Sequence, residues 1–533
     1  MTVNGGTQTD ETSPNSESPS PATGIARLPI ALAGLAGLLA GAITIGVAEL
    51  LAVLWPRLGL ERGTASPVLA VGSAFVNHTP PWLKDFAVEH FGRQDKHVLL
   101  SGIGAALVVL SVVAGVLARW RRWAGSVAVA VLGLVALSAV LTRPGAWPLD
   151  AVPTLLGLVA GFLVLHRLVS TSWTAGAGAS RRQFLATAGV VAGAAVLTGA
   201  GSRLLGTAAK DVEASRKAVR LPTPAEPLGV VPGGVSLPVP GVTPFRTSNA
   251  RFYRVDTALS VPQLTTDAWR LRVHGMVDHE VSLTFDDLLR QPLVERFITL
   301  TCVSNEVGGN LMGNAVWLGY PLKDLLSRAG THSDADMVLS TSVDGMTIST
   351  PLAELTDGRD AMLAVAMNGS PLPVEHGFPV RMVVPGLYGY VSATKWVVDL
   401  EVTRFDRKQA YWTPRGYAAK APIKTSSRID VPGSFAHVNA GTIAVAGVAW
   451  AQHRGIDSVQ VRVDGGTWHD ARLADSVSKD TWRQWVWQWP ADRGTHTIEC
   501  RAIDGTGAVQ SSVSHGLRPD GSTGLDSVVV MVA

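Results

Sequence analysis

Charge is scarce in this chain, and so are aromatic residues and cysteine. Of 533 residues only 16% are charged and 6% aromatic, and 45 basic against 42 acidic side chains leave a formal net charge of +3. No Lys/Arg cluster is interleaved with aromatics, so the electrostatic footprint of a nucleic-acid-binding protein is missing and no nucleic-acid partner is expected. The two cysteines, Cys302 and Cys500, allow one disulfide at most. Haem held between helices needs axial ligands that face one another, and His97 and His166 fall at opposite ends of their apolar spans, so no b-type haem is expected.

What the chain has in excess is apolar residues, 47% of the total, concentrated in the first 205 positions. Residues 1–24 are Ser, Thr, Pro, Gly and acids without periodicity, the composition of a disordered tail. A membrane region, 25–205, follows. Its apolar spans near Leu28–Trp55, Val98–Ala118, Gly125–Leu141, Leu149–Leu168 and Phe184–Leu205 each have about the length a helix needs to cross ~30 Å of hydrocarbon. The last, rich in Ala and Gly, is the weakest. Arg119, Arg121 and Arg122 follow the second span, and Arg167, Arg181 and Arg182 lie between the fourth and fifth. The positive-inside rule makes those loops cytoplasmic, which puts the N-terminus inside and everything after 205 outside. The loop 56–97 is then external, and its amphipathic piece Trp82–Phe91 is either an ordinary solvated loop or a segment lying at the interface.

Directly before the fifth span stands Ser180–Ala186 (SRRQFLA), which resembles the twin-arginine export signal. That route moves folded proteins, as a domain loaded with its cofactor in the cytoplasm requires. The expected location is a bacterial cell membrane, crossed several times and in contact with lipid, with the C-terminal part extracytoplasmic. Residues 206–245 carry Pro222, Pro224, Pro227, Pro232, Pro238, Pro240 and Pro244, which block helix and sheet, and read as a linker holding a domain off the membrane.

The residue to explain in the outer half is Cys302. An apolar strand Arg296–Thr301 delivers it to a strand end, and the loop that follows is rich in Gly and Asn, whose backbone N–H groups can approach a bulky anionic ligand. A metal thiolate, an inert buried thiol and a disulfide with Cys500 are all open on these residues alone.

Cys302 followed by Asn305 and then by Trp317, Gly319, Pro321 and Leu322 resembles the molybdenum-binding segment of the sulfite oxidase superfamily. In that family the cysteine is the one protein ligand to molybdenum, which a molybdopterin dithiolene otherwise holds. The resemblance therefore makes Cys302 both metal ligand and catalytic residue, and brings Asn305 with it. A second match is dense: Met367–Gly386 and Tyr388–Trp396. It places His376 on the pterin, and Arg381, Lys395 and the Ser392, Ala393 and Thr394 backbone on a dianionic phosphate that needs cationic and N–H partners. The segment Asn249–Asp256 is similar to a cofactor-contacting stretch of the periplasmic methionine sulfoxide reductase branch. Asn249 and Tyr253 match it, Arg254 stands where that branch has an acid, and Thr341 lies where the family has a cofactor-contacting threonine.

Trp269–Gly275 alternates as a half-buried strand does, Leu283–Leu289 reads as a short helix capped by Thr284, Leu322–Ala329 as a helix and Met337–Ser342 as a strand. From Arg404 the texture is all-β, with strands at Thr442–Trp450, Ile456–Asp464, Trp482–Trp489 and His496–Asp504, the pattern of an immunoglobulin-like sandwich. It resembles the superfamily's dimerisation domain, with Cys500 in a core strand. The expected architecture is thus multi-domain: an N-terminal α-helical membrane region, an α+β sulfite-oxidase-type molybdopterin domain (246–405) and a C-terminal all-β immunoglobulin-like sandwich (406–533).

What this resemblance implies is a membrane-anchored oxidoreductase with a Mo-molybdopterin cofactor, acting by two-electron oxo-transfer on a small extracytoplasmic substrate. A membrane or extracytoplasmic electron-transfer partner and a homodimer through the C-terminal domain go with it. Sulfite-oxidising members carry a cationic pair after the cysteine and an active-site tyrosine; here Glu306 and Val307 replace the pair and Val365 the tyrosine. Loss of positive charge near the metal disfavours a dianion, so plain sulfite oxidation is not expected. The alternatives are a true sulfite oxidase or dehydrogenase, and a non-catalytic membrane-tethered scaffold on the same fold.

Overall fold

The computed structural model of the chain describes residues 25–26, 28–55, 65–80, 95–143, 146–170, 173–174, 178–205 and 208–533. The tail 1–24 and the piece Trp82–Phe91 lie outside them. The N-terminal half is helical: α1 (Ile30–Leu54), α2 (Pro67–His78), α3 (Asp95–Trp120), α4 (Arg122–Leu141), α5 (Val152–Val169) and α6 (Gly178–Leu205). Of these, α1, α3, α4 and α6, together with the stretch Pro148–Val169, are long and apolar enough to cross a membrane, as the five apolar spans predicted. α1 packs against α3, α5 and α6, and glycines let the backbones meet. A Cβ on Gly37 would fall 2.0 Å from the Ser111 carbonyl oxygen, and one on Gly157 2.4 Å from that of Thr44.

α2 lies inside the stretch expected to be a loop. Ser66 caps it, its Oγ accepting from the Leu69 N–H at 3.2 Å, and Pro67 takes the first turn, where no N–H is needed. A Ser-Pro start before an apolar run is a helix signal that the loop reading passed over.

The linker also differs from its expectation. α7 (Ala208–Ala218) docks on the outer half through buried Val212 and through Arg216, which donates to the carbonyls of Leu372 at 2.8 Å and Pro371 at 3.0 Å. The proline-rich stretch after it is laid along the surface as a strap. Glu226 bridges Val294, Leu237 N–H donates to Gln484 Oε1 at 2.6 Å, Thr243 N–H to Asp430 Oδ2 at 2.8 Å, and Phe245 is buried. Prolines keep this segment out of any ladder, but the apolar and N–H groups between them still find partners.

Two sheets make up the central region. Strands β1 (Arg270–Gly275), β2 (Val281–Thr284), β3 (Val294–Thr301), β4 (Met312–Pro321), β5 (Met337–Ser342), β6 (Thr347–Pro351), β7 (Met362–Met367), β8 (Ser370–Pro371), β9 (Arg381–Val383) and β10 (Val397–Thr403) arrange as β2-β1-β10-β5-β6 and as β3-β4-β7, with β8 and β9 both on β7. Only the β1–β10 pair is parallel. The predicted short helix is α8 (Phe285–Leu289), where Thr284 and Asp287 form a reciprocal capping box, and α9 (Leu322–Ala329) is the predicted second helix, ending at Gly330 with φ +68°.

The C-terminal region is β-rich. A four-stranded sheet (Ser426–Val431, Gly441–Trp450, Arg483–Ala491, Arg472–Leu473) faces a five-stranded one that includes Ile456–Val463, Gly494–Asp504 and Asp526–Val532. Val445, Trp485 and Trp489 of the first sheet and Val461, Ile498, Cys500 and Val530 of the second share one core. A larger core crosses from the central region into this one, since Val448, Trp450 and Trp482 cluster with central-region residues.

β3 is an edge strand, and the C-terminal region covers it. Thr299 N–H donates to the Asp480 carbonyl at 2.9 Å, Trp482 N–H to Thr299 Oγ1 at 2.8 Å, and Gln452 Nε2 to Thr301 Oγ1 at 3.0 Å. Trp482, 2% exposed, also donates from Nε1 to the Phe245 carbonyl at 2.8 Å. Trp482→Ala would empty the joint between strap, β3 and the β-rich region, and should cost about 3–5 kcal/mol in denaturant unfolding of the detergent-solubilised protein. A loss below roughly 1 kcal/mol would show that the joint is not cooperative with the rest.

Candidate functional site

β3 ends at Thr301, and Cys302 follows with its N–H donating to the Leu311 carbonyl at 2.9 Å, so the loop 303–311 closes back on the strand end. The thiol is 8% exposed and accepts from the Ser304 N–H at 3.4 Å. Burial pushes its pKa up, while the charge of Lys395 pulls the other way. Cys302 opens on a cavity of about 200 Å³, whose wall also contains Tyr253, His376, Arg381, Thr394 and Lys395. Cys302 and Cys500 are both free thiols, and Cys500 sits deep in the β-rich core.

The electrostatics of this cleft are one-sided. Arg381, at the start of β9, is 5% exposed, donates only to carbonyls, those of His376 at 3.1 Å, Met382 at 3.4 Å and Ala393 at 3.5 Å, and lies 5.1 Å over the Trp317 ring. Among the described residues no carboxylate pairs with it, and burial lowers its pKa to about 10. Lys395 is pushed down to about 8 by burial, against the pull of Asp256, to which its Nζ donates at 2.8 Å. His376 donates from Nε2 to the Asn249 carbonyl at 3.2 Å and is driven down to about 4, first by burial and then by the charges of Arg381 and Lys395. Of the two buried cations only Lys395 has a carboxylate partner, Asp256; the other acid on the wall, Asp344, is exposed, and the histidine refuses a proton. An anion is the missing partner.

Ser342 adds a second unmet demand, since its hydroxyl is buried on the cleft wall with no partner among the described residues. No three His, Cys, Asp or Glu side chains converge on a metal position among those residues either. This donor set, one thiol with cations and hydroxyls around it, fits an anionic group that brings most of its metal's ligands with it. It does not fit a bare ion.

Of the residues named from the sequence, Cys302, Tyr253, His376, Arg381, Ala393, Thr394 and Lys395 line the cleft. Others stand behind it. Asn249 accepts at Oδ1 from Asn368 Nδ2 at 2.7 Å while its carbonyl holds His376. Arg254 shares Asp256 with Lys395, at 2.8 Å. Asn305 closes the cysteine loop, accepting from Leu311 N–H at 2.7 Å, and Ser392 braces a turn by donating to the Tyr388 carbonyl at 2.9 Å. Thr341 is not on the wall: strand alternation turns it away, and its neighbours Ser340, bonded to Thr394 Oγ1 at 2.6 Å, and Ser342 face that side.

Lys395 has an acid partner in Asp256, more than a hundred residues earlier, which local strand patterning cannot reveal. The charge argument around Glu306 also changes. Glu306 and Val307 are exposed and border a separate small crevice with Tyr388 and Gln510, and Val365 is a core residue 1% exposed. None of the three lines the cleft. Sequence reasoning missed the mouth of the cleft, formed by Met346, Ile348, Tyr390, Trp412 and Tyr417. Trp412 and Tyr417 lie just past the end of the central sheet, where nothing but their aromatic character marks them.

A family model described as "Oxidoreductase molybdopterin binding domain" matches residues 258–412. The chain is 32% identical over 302 residues to the mitochondrial sulfite oxidase of Mus musculus, covering 47% of this chain and 55% of that one. It thus spans about half the length of that relative. It is 36% identical over 149 residues to the uncharacterized oxidoreductase YuiH of Bacillus subtilis, covering 28% of this chain and 72% of that protein. Among solved structures, the sulfane dehydrogenase SoxCD of Paracoccus pantotrophus aligns with 51% of this chain and 76% of its own, at 26% identity and a TM-score of 0.46.

The depressed His376 sets a pH dependence. Below pH 6.5 the unfolded chain binds a proton that the folded chain refuses until about pH 4, so cofactor-free protein should lose stability as pH falls through that window. The loss should be roughly 3 kcal/mol at most. His376→Gln should flatten it, as read from denaturation midpoints at pH 7 and pH 5.

Proposed function

The chain belongs to the sulfite oxidase superfamily of molybdopterin-dependent oxidoreductases, and from that membership we propose that it is a membrane-anchored enzyme performing two-electron oxo-transfer on a small extracytoplasmic substrate. The observation that carries the reading is Arg381: a buried guanidinium with no carboxylate among the described residues, in the same cavity as the Cys302 thiol. A cation is kept in such a place for an anion that arrives later. A non-catalytic scaffold gives no reason for it.

Bound in this cleft, the molybdenum–pterin group supplies the two-electron redox chemistry. Cys302 would be its protein ligand, and it must be ionised to serve; Lys395 favours that form. Arg381 and Lys395 would hold the phosphate, Thr394, Ser342 and the backbone near Ala393 would donate to it, and neutral His376 would face the pterin without adding charge. Asn249, Arg254, Asn305 and Ser392 would act by positioning these groups. Trp396, in the left-handed region at φ +51° and anchored by its Nε1 to the Val374 carbonyl at 2.9 Å, keeps Lys395 turned inward.

A neutral substrate is favoured over sulfite. Among the described residues lining the cleft the only Lys or Arg side chains are Arg381 and Lys395, and with both engaged by the cofactor the wall is left with Met346, Ile348, Tyr390, Trp412, Tyr417 and the exposed carboxylate of Asp344, which repels a dianion. Sulfoxides and nitrogen oxides suit such a mouth. One observation favours sulfite: the Arg518 guanidinium lies 5.6 Å over the Tyr417 ring, close enough to lend positive charge at the entrance.

The long apolar helices would anchor the enzyme in a bacterial membrane, with the twin-arginine segment at the start of α6 exporting the folded, loaded domain. The β-rich region reads as an immunoglobulin-like sandwich that pairs two copies. A membrane or extracytoplasmic redox partner would exchange electrons with the site.

Cys302→Ser should abolish molybdenum in the purified protein and turnover with it, checked by metal analysis and by assays of sulfite, sulfoxides and nitrogen oxides against a dye donor or acceptor. Unchanged metal and turnover would refute the enzyme reading. Arg381→Met should empty the site of cofactor yet leave the cofactor-free protein as stable as wild type or more so, because a buried unpaired charge is removed.

A further inference from the structure

The helical half contains a second cavity, separate from the Cys302 cleft. Helices α1 to α5 line a half-open cavity of about 110 Å³ between Ile45, Val68, Leu107, Leu132 and Leu158, a lining that is apolar apart from the hydroxyls of Thr44, Ser111 and Thr154. Thr44 spends its proton on the Ala40 carbonyl at 2.8 Å. Thr154 does not: it is 2% exposed, and its Oγ1 has no partner among the described residues. A buried hydroxyl with nothing to donate to is a standing cost. Water is a poor remedy, because a buried water needs two to four polar partners, and this wall offers few.

We propose that this cavity binds the ring of an isoprenoid quinone or quinol, with Thr154 donating to a ring oxygen. Such a ring is flat and apolar, as the lining requires, and carries at its edge the acceptor that Thr154 lacks. A lipid acyl chain would fill the same space but leave Thr154 unmet. The inference rests on the reading of these helices as membrane-spanning, which delivers a hydrocarbon-soluble ligand to them.

The test uses the full-length protein in phosphatidylcholine nanodiscs, titrated with decylubiquinone and, in parallel, photolabelled with an azidoquinone whose adducts are mapped by peptide mass. Saturable binding with label on α1 or α5 is expected. Thr154→Val, nearly isosteric, should weaken binding about 5-fold, the loss of one hydrogen bond; Ala136→Phe, which fills the cavity, should abolish it. Absence of saturable binding, equal affinity in Thr154→Val, or displacement of the quinone by a fatty-acid probe that Thr154→Val leaves unaffected would each overturn the proposal. Alkaline carbonate extraction separates the two readings. If the protein leaves the membrane, the spanning assignment fails; if it stays and no quinone binds, only the cavity proposal does.

Discussion

A positive charge held in a protein interior without a counter-charge is the constraint from which the outer half of this molecule is best understood. Arg381 is stripped of water, and carbonyls with the Trp317 face recover only part of that loss. Its partner cation, Lys395, is compensated by Asp256 alone, and Asp256 is itself shared with Arg254. The nearby histidine stays neutral for the same reason. A fold tolerates this arrangement only if the rest of its packing is firm enough to carry the cost, and behind the cleft Trp317, Phe378, Val380 and Trp396 are almost wholly buried.

The position of the thiol depends on a different part of the chain. Cys302 leaves the end of an edge strand, and an unpaired strand edge would ordinarily be exposed or frayed. Here the β-rich region caps it through Asp480, Trp482 and Gln452, while Arg428 donates to the Gly309 carbonyl in the cysteine loop and to Thr243 in the strap. The C-terminal region therefore holds the strand end and loop from which Cys302 reaches the cleft. The strap, first read as a spacer, is part of the same joint.

Much of this could be read from residue order. The apolar spans, the strand ending in Cys302, the Thr284 cap and the alternating strands after Arg404 are local patterns, and local patterns survive folding. His376, Arg381, Ala393, Thr394 and Lys395, named within one segment, do come together on the cleft wall. What sequence concealed was everything that depends on long-range pairing: Asp256 reaching Lys395, the strap finding Gln484 and Asp430, and the aromatic mouth assembled from three separate segments. Thr341 stands off the cleft wall because a strand's faces alternate, and sequence alone did not fix which face met the cleft. Glu306 stands off the cleft for a simpler reason: adjacency in sequence to Cys302 is not adjacency in space when the loop turns outward.

The two halves of the molecule also touch near the cleft. The segment carrying Tyr253, Asp256 and Thr257 along the cleft wall runs on to Leu259, whose side chain lies so close to Gly72 of α2 that a Cβ there would fall 2.7 Å from it. The short helix that the sequence hid thus touches the outer half at Leu259. Asp256, three residues before Leu259 on that segment, is the carboxylate that pairs with Lys395 among the described residues. Any anion that enters the cleft meets an ammonium group already engaged by Asp256, so by charge balance its hold on Lys395 depends on how Asp256 is placed.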